Sequence, residues 1–208
     1  VIEGLHDQDK IKAGELPIWP TVDLEKEKDT DGESGLHIVE MIQFASADWT
    51  SEANHGLRKD FEDKIYVADF FFTTCKGICL KMSTQLERVQ EALKDYNDFR
   101  IISHTVNPQY DSVPVLKRYA NEVNAIDGRW HLVTGDKKAL YDMARYGYFV
   151  TASEGNGGHD DFIHSPMFVL VDKEKRIRGY YDGTETDEVD NLIKDTESLF
   201  IIYDKEKE

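Results

Sequence analysis

Hydrophobic and polar positions along this chain follow regular periods from about residue 64 onward and no clear period before it. Short runs of β-branched and aromatic residues alternate with stretches in which apolar residues recur every three or four positions. These patterns are typical of buried strands and amphipathic helices. They predict strands over Ile65–Thr73, Phe99–Val106, Trp130–Val133, Phe168–Asp172 and Ile177–Tyr181, and helices over Cys79–Tyr96, Ser112–Val123, Lys137–Tyr146 and Asp187–Phe200.

The predicted order is β-α-β-α-β-α, followed by a β-hairpin and a final helix. Such alternation predicts an α/β thioredoxin-like fold, in which helices flank a central mixed sheet and the added β-hairpin contributes antiparallel strands at one edge. We expect this domain to span residues 61–208. Residues 1–60 are predicted to be an atypical, poorly patterned acidic N-terminal extension that packs on the domain or leads into it. Within it, residues 23–34 are dense in charge and predict a solvated loop.

Composition narrows the classes of function. The chain has 41 acidic and 25 basic residues, a formal charge of −16. That charge repels phosphate, which argues against nucleic-acid binding and against charge-driven attachment to an anionic membrane, and it suits a basic partner. No apolar run approaches the roughly 20 residues that cross a bilayer. The chain begins at Val1 without a visible signal segment, so we expect any membrane tether to lie in a missing N-terminal anchor.

The two cysteines are the strongest candidates for chemistry. Cys75 and Cys79 fall where the first long strand gives way to its helix, the edge at which open α/β sheets place their sites. If Cys75 begins the helix, both sulfurs lie on one face, and the helix N-terminus together with Lys76 stabilises a thiolate. Such a pair either cycles with a disulfide or holds a soft ion. Cu(I) is the ion that two thiolates suit best, with imidazole as a natural third ligand. Two incidental buried thiols are the alternative.

His164 is the best candidate for that imidazole among seven histidines, because it lies where a glycine-rich acidic loop enters a hydrophobic strand. Each of the others has a simpler interpretation as a surface, core or solvated residue: His6, His37, His55, His104, His131 and His159. Spacing alone does not establish His164 as a ligand.

From about Lys64 to its end the chain resembles the Sco/SenC family of copper-binding assembly factors. The matching stretches are TTCKGICLKM, SHTVNPQYDSVPVLKRYA, WHLVTGDKKALYDMARYGYFV and FIHSPMFVLVDKEKRIRGYYDGT. The cysteine spacing is weakly specific, whereas the four blocks in this order are strongly specific. The resemblance implies a thioredoxin-like fold and copper held by Cys75, Cys79 and His164. It also implies a role in loading the binuclear copper centre of cytochrome c oxidase, outside the cytoplasm and tethered to a membrane.

The chain departs from the family pattern at several positions. Lys76 and Leu80 occupy positions that commonly hold proline after each cysteine, which gives the loop more freedom and restores an N–H at each position. Asn107 replaces an aspartate before Pro108, and Ile163 stands where many members have aspartate. Asp111 remains acidic, and we expect it to cap the helix that follows.

Three hypotheses follow from these residues. The leading one is a metallochaperone that carries Cu(I), with Cu(II) as a second state, and delivers it to a cuproenzyme. The second is a thiol–disulfide oxidoreductase in which Cys75 attacks and Cys79 resolves, although active thioredoxins separate their cysteines by two residues rather than three. The third is a peroxidase-like or purely structural relative that has lost copper.

Overall fold

A computed structural model describes residues 59–150 and 165–205 of the chain. Its centre is a five-stranded mixed sheet in the order β3-β2-β1-β4-β5. The strands are β1 (Ile65–Phe71), β2 (Phe99–Thr105), β3 (Trp130–Val133), β4 (Met167–Val171) and β5 (Ile177–Asp182). The helices are α1 (Ile78–Ala92), α2 (Val113–Glu122), α3 (Lys137–Asp142) and α4 (Thr186–Lys205), and a π-helical segment over Met143–Gly147 continues α3.

The sheet divides into a parallel half and an antiparallel half. β1, β2 and β3 run parallel because a helix connects each to the next, whereas β4 pairs antiparallel with β1 and with β5. β1 is buried along its whole length, as its unbroken run of apolar and aromatic residues predicts. This arrangement confirms the predicted α/β class and the hairpin at one edge.

Alternate side chains of β1 enter two separate cores, one on each face of the sheet. Ile65, Val67 and Phe71 pack on one face with α1, α2 and α4. Tyr66 and Phe70 pack on the other face with α3 and the π-helical segment. Cys79 belongs to the first core, so the thiol pair and the buried side chains of α1, α2 and α4 share one face.

Two predicted elements differ in detail. The helix expected over Lys137–Tyr146 ends as an α-helix at Asp142 and continues as a wider π turn, which the 2.8 Å bond from Tyr148 N–H to the Met143 carbonyl closes. Residues 1–58 of the predicted extension and the loop of residues 155–161 lie outside the described residues. No helix in the described part of the chain is long and apolar enough to span a membrane.

Candidate metal and thiol site

The loop between β1 and α1 carries Cys75, and the first turn of α1 carries Cys79. α1 begins at Ile78, one residue before the predicted start at Cys79, so Cys75 precedes the helix and does not begin it. The cause is local: Gly77 is the N-cap, it offers no capping side chain, and the Cys75 N–H closes a tight turn onto the Phe72 carbonyl at 3.2 Å. Cys79 therefore lies in the first turn of α1, at the positive end of the helix dipole, and Cys75 precedes the helix.

The two thiols occupy different environments. Cys79 is 3% exposed and packs in the core, whereas Cys75 is partly exposed, and neither forms a disulfide. Burial by itself would raise the pKa of Cys75, but hydrogen bonds from the Cys79 thiol and from the backbone N–H groups of Gly77 and Cys79 bring that pKa below its ordinary value. Burial and the bond to Cys75 raise the pKa of Cys79 to about 12. The pair thus combines an accessible thiolate with a buried thiol.

Asp69 lies in β1 on the face that packs against Cys79. It is 2% exposed and accepts a hydrogen bond from Ser103, which in turn accepts one from the Trp130 indole N–H at 2.8 Å. Burial raises the pKa of Asp69 to about 7, although the bond from Ser103 opposes the rise. When ionised, this carboxylate raises the pKa of Cys79 further, so the polar groups beneath the pair keep Cys79 protonated.

Asp111 holds the loop of Cys75 in place and does not cap α2. Its buried carboxylate accepts hydrogen bonds from the Thr73 N–H at 3.2 Å, from the Thr73 hydroxyl and from the Thr105 hydroxyl. Ser112 is the N-cap of α2 and makes no side-chain capping bond. The expected capping role of Asp111 is therefore wrong. The carboxylate instead ties the loop after β1 to the end of β2, where parallel pairing brings the two strand ends together.

The two histidines of the described region lie away from the thiols. His104 is fully buried on the opposite face of the sheet, where it stacks on Phe70 with the ring centroids 5.1 Å apart, and burial lowers its pKa to about 3. His131 packs edge-on against Phe61 at 5.2 Å. Both fit their predicted roles as core histidines. His6, His37, His55, His159 and the predicted ligand His164 lie outside the described residues.

The described residues bring two of the three predicted ligands together. Within residues 59–150 and 165–205, no group of three or more His, Cys, Asp and Glu side chains could hold a metal ion. Ser165, which follows His164 in the sequence, leads into β4, whose antiparallel pairing with β1 directs its first residue toward the carboxyl end of β1. Cys75 follows that same end of β1.

Sequence reasoning missed the roles of Asp69 and Asp111. One signal was available for Asp69, because it is the only charged residue within the apolar run Tyr66–Phe72, and a charge in a strand covered on both faces requires a partner. For Asp111 the adjacent helix start offered a simpler explanation. Its true partners, Thr73 and Thr105, lie 38 and six residues away in the sequence.

Comparison with known proteins agrees with this architecture. The family model described as SCO1/SenC matches residues 47–200. A SCO1/SenC family lipoprotein from Bacillus anthracis str. Ames is 25% identical, with a TM-score of 0.59 over 68% of this chain and 84% of its own. BsSco, described as having a disulfide switch and as a member of the Sco family of cytochrome c oxidase assembly proteins, is 29% identical, with a TM-score of 0.57 over 68% of this chain and 83% of its own.

Homologous Sco structures have been solved with copper bound. One is Bradyrhizobium japonicum ScoI, which is 20% identical to this chain, with a TM-score of 0.53 over 68% of this chain and 88% of its own. At that identity the likeness concerns the thioredoxin-like fold alone. The family match covers most of the chain and includes both cysteines and every described strand. The chain therefore belongs to the SCO1/SenC family.

Proposed function

We propose that this protein is a copper metallochaperone that binds copper through Cys75, Cys79 and His164 and delivers it to a cuproenzyme. The observation that carries the proposal is the free thiol pair at the carboxyl edge of β1, within the matched family region. Two thiolate sulfurs suit Cu(I), and an imidazole completes a three-coordinate site. Copper is here the cargo, so binding has to be tight but open to ligand exchange.

The asymmetry of the pair suits such exchange. Cys75 is partly exposed and has a lowered pKa, so it offers a thiolate to an incoming ion and to the ligands of a recipient. Cys79 is buried and loses its proton only when a cation compensates the charge. Copper binding is therefore expected to release a proton from Cys79 and to anchor the ion from the core side, while Cys75 faces the recipient.

His164 is the third ligand in this proposal. Support comes from its neighbour Ser165, which is 5% exposed and whose hydroxyl accepts the Met167 N–H at 3.3 Å at the start of β4. One peptide step of about 3.8 Å separates the α-carbons of residues 164 and 165. The carboxyl end of β1, from which the cysteine loop departs, lies beside this part of β4.

The recipient we propose is the binuclear copper site of cytochrome c oxidase, since BsSco is described as belonging to a family of assembly proteins for that enzyme. We also propose that the protein acts on the extracytoplasmic side, at the periplasmic face or cell envelope, and that the full-length protein is membrane-anchored. The Bacillus anthracis relative is described as a lipoprotein, which supports that location.

Copper titration of the reduced protein against a chromogenic Cu(I) chelator tests the ligand set. Wild type should bind one equivalent of Cu(I), and His164→Ala should bind it at least about tenfold more weakly, because one of three ligands is removed. His159→Ala is the matched control, since it removes a histidine from the same stretch without removing a proposed ligand. Equal affinities of wild type and His164→Ala would eliminate His164, and a lack of stoichiometric binding by wild type would eliminate the chaperone.

Thiol–disulfide exchange is a second candidate function, which the lowered pKa of Cys75 and the raised pKa of Cys79 favour. In this reaction the Cys75 thiolate attacks a partner disulfide, and Cys79 then attacks the mixed disulfide and releases the reduced partner. A Cys79→Ser variant should trap the mixed disulfide with a disulfide substrate, and Cys75→Ser should not. Traps that form equally with both variants would reject the assigned roles.

A further inference from the structure

Two described segments beside Cys75 are cationic although the whole protein is acidic. The segments 72–86 and 106–121, which flank the site on the side of α1 and α2, contain four basic residues and a single carboxylate. The basic residues are Lys76, Lys81, Lys117 and Arg118, all exposed, and none of them pairs with a carboxylate among the residues that the structure describes. The carboxylate is Asp111, which is buried and bonded to two threonines. The chain charge of −16 is carried elsewhere, and its nearest described part is on the other side of α1, at the start of α4, where Gln85 donates a hydrogen bond to the Thr186 hydroxyl at 3.2 Å beside Glu185 and Asp187.

The same edge of the sheet carries an apolar surface. Eight large apolar side chains are exposed in the described residues, and four of them follow the carboxyl ends of β1 and β2: Ile78 (39%), Leu80 (52%), Tyr110 (56%) and Val113 (50%). Single exposed apolar residues are ordinary, but a concentration beside a reactive group marks an interaction surface. Leu80 also occupies a position that holds proline in the family pattern.

Two contacts bring the flanking segments together. The Asp111 carboxylate bonds Thr73 and so joins the loop of Cys75 to the segment that carries Tyr110. The hydroxyls of Ser83 in α1 and Tyr119 in α2 lie 2.9 Å apart and join the two helices just inside the core. Since β1 and β2 are parallel and in register from Ile65–Phe99 to Phe71–Thr105, both helices begin at the same edge. We call this surface, formed by the four cations and the four apolar residues, the site rim.

We infer that the site rim docks a partner protein surface on which carboxylates surround an apolar centre, and that it places this surface over Cys75. The inference rests on the proposed function, because the partner is the recipient or disulfide substrate of the same cysteines. Attraction at the rim and repulsion from the rest of an acidic molecule together select one orientation of an acidic partner. The basic partner that the whole-chain charge suggests is disfavoured at the site.

Charged peptides that react with Cys75 test this inference without copper. The probes are three pentapeptides, acetylated and amidated, whose central cysteine carries a 2-pyridyl disulfide: Glu-Leu-Cys-Leu-Glu, Lys-Leu-Cys-Leu-Lys and Gln-Leu-Cys-Leu-Gln. In a Cys79→Ser background, the Cys75 thiolate attacks the peptide sulfur, the sulfur–sulfur bond to the pyridine breaks, and pyridine-2-thione is released. Dividing each rate by that of the neutral peptide removes differences in the thiolate fraction between variants.

At low salt the acidic peptide should react at least about tenfold faster than the basic peptide, and the two rates should converge as added salt screens the charges. Lys76→Gln combined with Lys81→Gln should remove most of this preference. The control combines Lys94→Gln with Lys138→Gln, which makes the same change in net charge at exposed positions outside the site rim. Leu80→Ser should slow the reaction of Cys75 with the acidic peptide severalfold. Its reaction with a Glu-Gly-Cys-Gly-Glu peptide, which lacks the two leucines, should change less.

Two results would overturn the inference. One is a basic peptide that reacts as fast as the acidic one, as the charge of −16 alone would give. The other is an equal effect of the rim and control double variants. Failure of the chaperone proposal is a separate outcome, because a protein that does not bind copper can still show the peptide preference, and a copper-binding protein can lack it.

Discussion

Two buried aspartates at opposite ends of the sheet show how differently this fold treats a charge. Asp172 follows β4 at the hairpin, and Asp69 lies in β1 beneath the thiols. Asp172 accepts the backbone N–H groups of Glu174 and Arg176 and pairs with the guanidinium groups of Arg176 and Arg178, at 3.1 and 2.7 Å. In the described residues the hydrogen-bond donor to Asp69 is Ser103, and no cation pairs with it.

The two environments indicate different roles: Asp172 stabilises the fold, and Asp69 influences the chemistry of the thiol pair. At the hairpin the buried charge is fully compensated and fixes the turn, so its value lies in stability. At the site the buried carboxyl is poorly compensated, and its pKa moves to about 7. A group that costs stability and lies beside a reactive thiol is typical of functional sites. The following predictions test this contrast, from the largest expected effect to the smallest.

Asp172→Ala should lower the free energy of unfolding by about 3–5 kcal/mol, because it removes the buried acceptor of two backbone N–H groups and the carboxylate that pairs with Arg178, which is 10% exposed. Urea unfolding at neutral pH measures the change. Glu174→Ala, which removes an exposed carboxylate from the same turn, is the control and should change stability by less than about 0.5 kcal/mol. If the two variants lose similar amounts, the hairpin charge is not the anchor described above.

Asp69→Asn should alter the pH dependence of stability. Between its ordinary pKa of 3.8 and about 7, the folded protein keeps Asp69 protonated while the unfolded chain ionises it, so the folded state binds more protons and wild-type stability falls as pH rises. That contribution is at most about 1.4 kcal/mol per pH unit. The asparagine variant lacks it, so its stability relative to wild type should increase from pH 4 to pH 7. A constant difference over that range would show that Asp69 ionises normally.

Asp111→Ala should lower the free energy of unfolding by about 1–3 kcal/mol, because the hydroxyls of Thr73 and Thr105 and the Thr73 N–H lose their acceptor. It should also free the loop that carries Cys75 from the N–H groups of Gly77 and Cys79 that lower its pKa, so Cys75 should be alkylated more slowly at neutral pH than in wild type. Urea unfolding and the alkylation rate measure the two effects. Ser112→Ala, at the N-cap that makes no side-chain bond, is the control. If Asp111→Ala costs no more stability than Ser112→Ala, the Asp111 carboxylate does not hold the loop in place.

The two thiols should differ in alkylation rate in the native protein. Cys75 is partly exposed with a lowered pKa, and Cys79 is 3% exposed with a raised one, so iodoacetamide at neutral pH should modify Cys75 at least about tenfold faster. Mass spectrometry of Cys75→Ser and Cys79→Ser measures each rate separately, and unfolding in urea should abolish the difference. Equal native rates would contradict the asymmetry on which both proposed functions depend.

Much of the fold follows from the sequence because its strands are long apolar runs and its helices have clear periodicity. The four blocks of family resemblance identified the family correctly, and both cysteines lie at the predicted strand-to-helix junction. The start of α1 lies within one residue of the predicted start at Cys79, although Gly77 provides no capping side chain. The π turn after Asp142 depends on how residues 143–148 pack under the sheet, which local periodicity does not record.

The chemistry of the site is less readable from sequence, because it depends on contacts between distant residues. Asp111 binds Thr73, 38 positions earlier, and Asp69 reaches Trp130 through Ser103. A charge of −16 describes the whole molecule and does not record the four cations of the site rim. The roles of His164 and of residues 1–60 remain predictions, and His164 and residues 1–58 lie outside the described residues.

X-ray absorption spectroscopy at the copper edge tests the central claim most directly, because it counts the ligands of the bound ion. Reduced protein loaded with one equivalent of Cu(I) should give two sulfur ligands and one imidazole nitrogen, and the imidazole signal should disappear in His164→Ala but persist in His159→Ala. A spectrum with sulfur ligands alone in wild type, or an imidazole that survives His164→Ala, would contradict the proposed site.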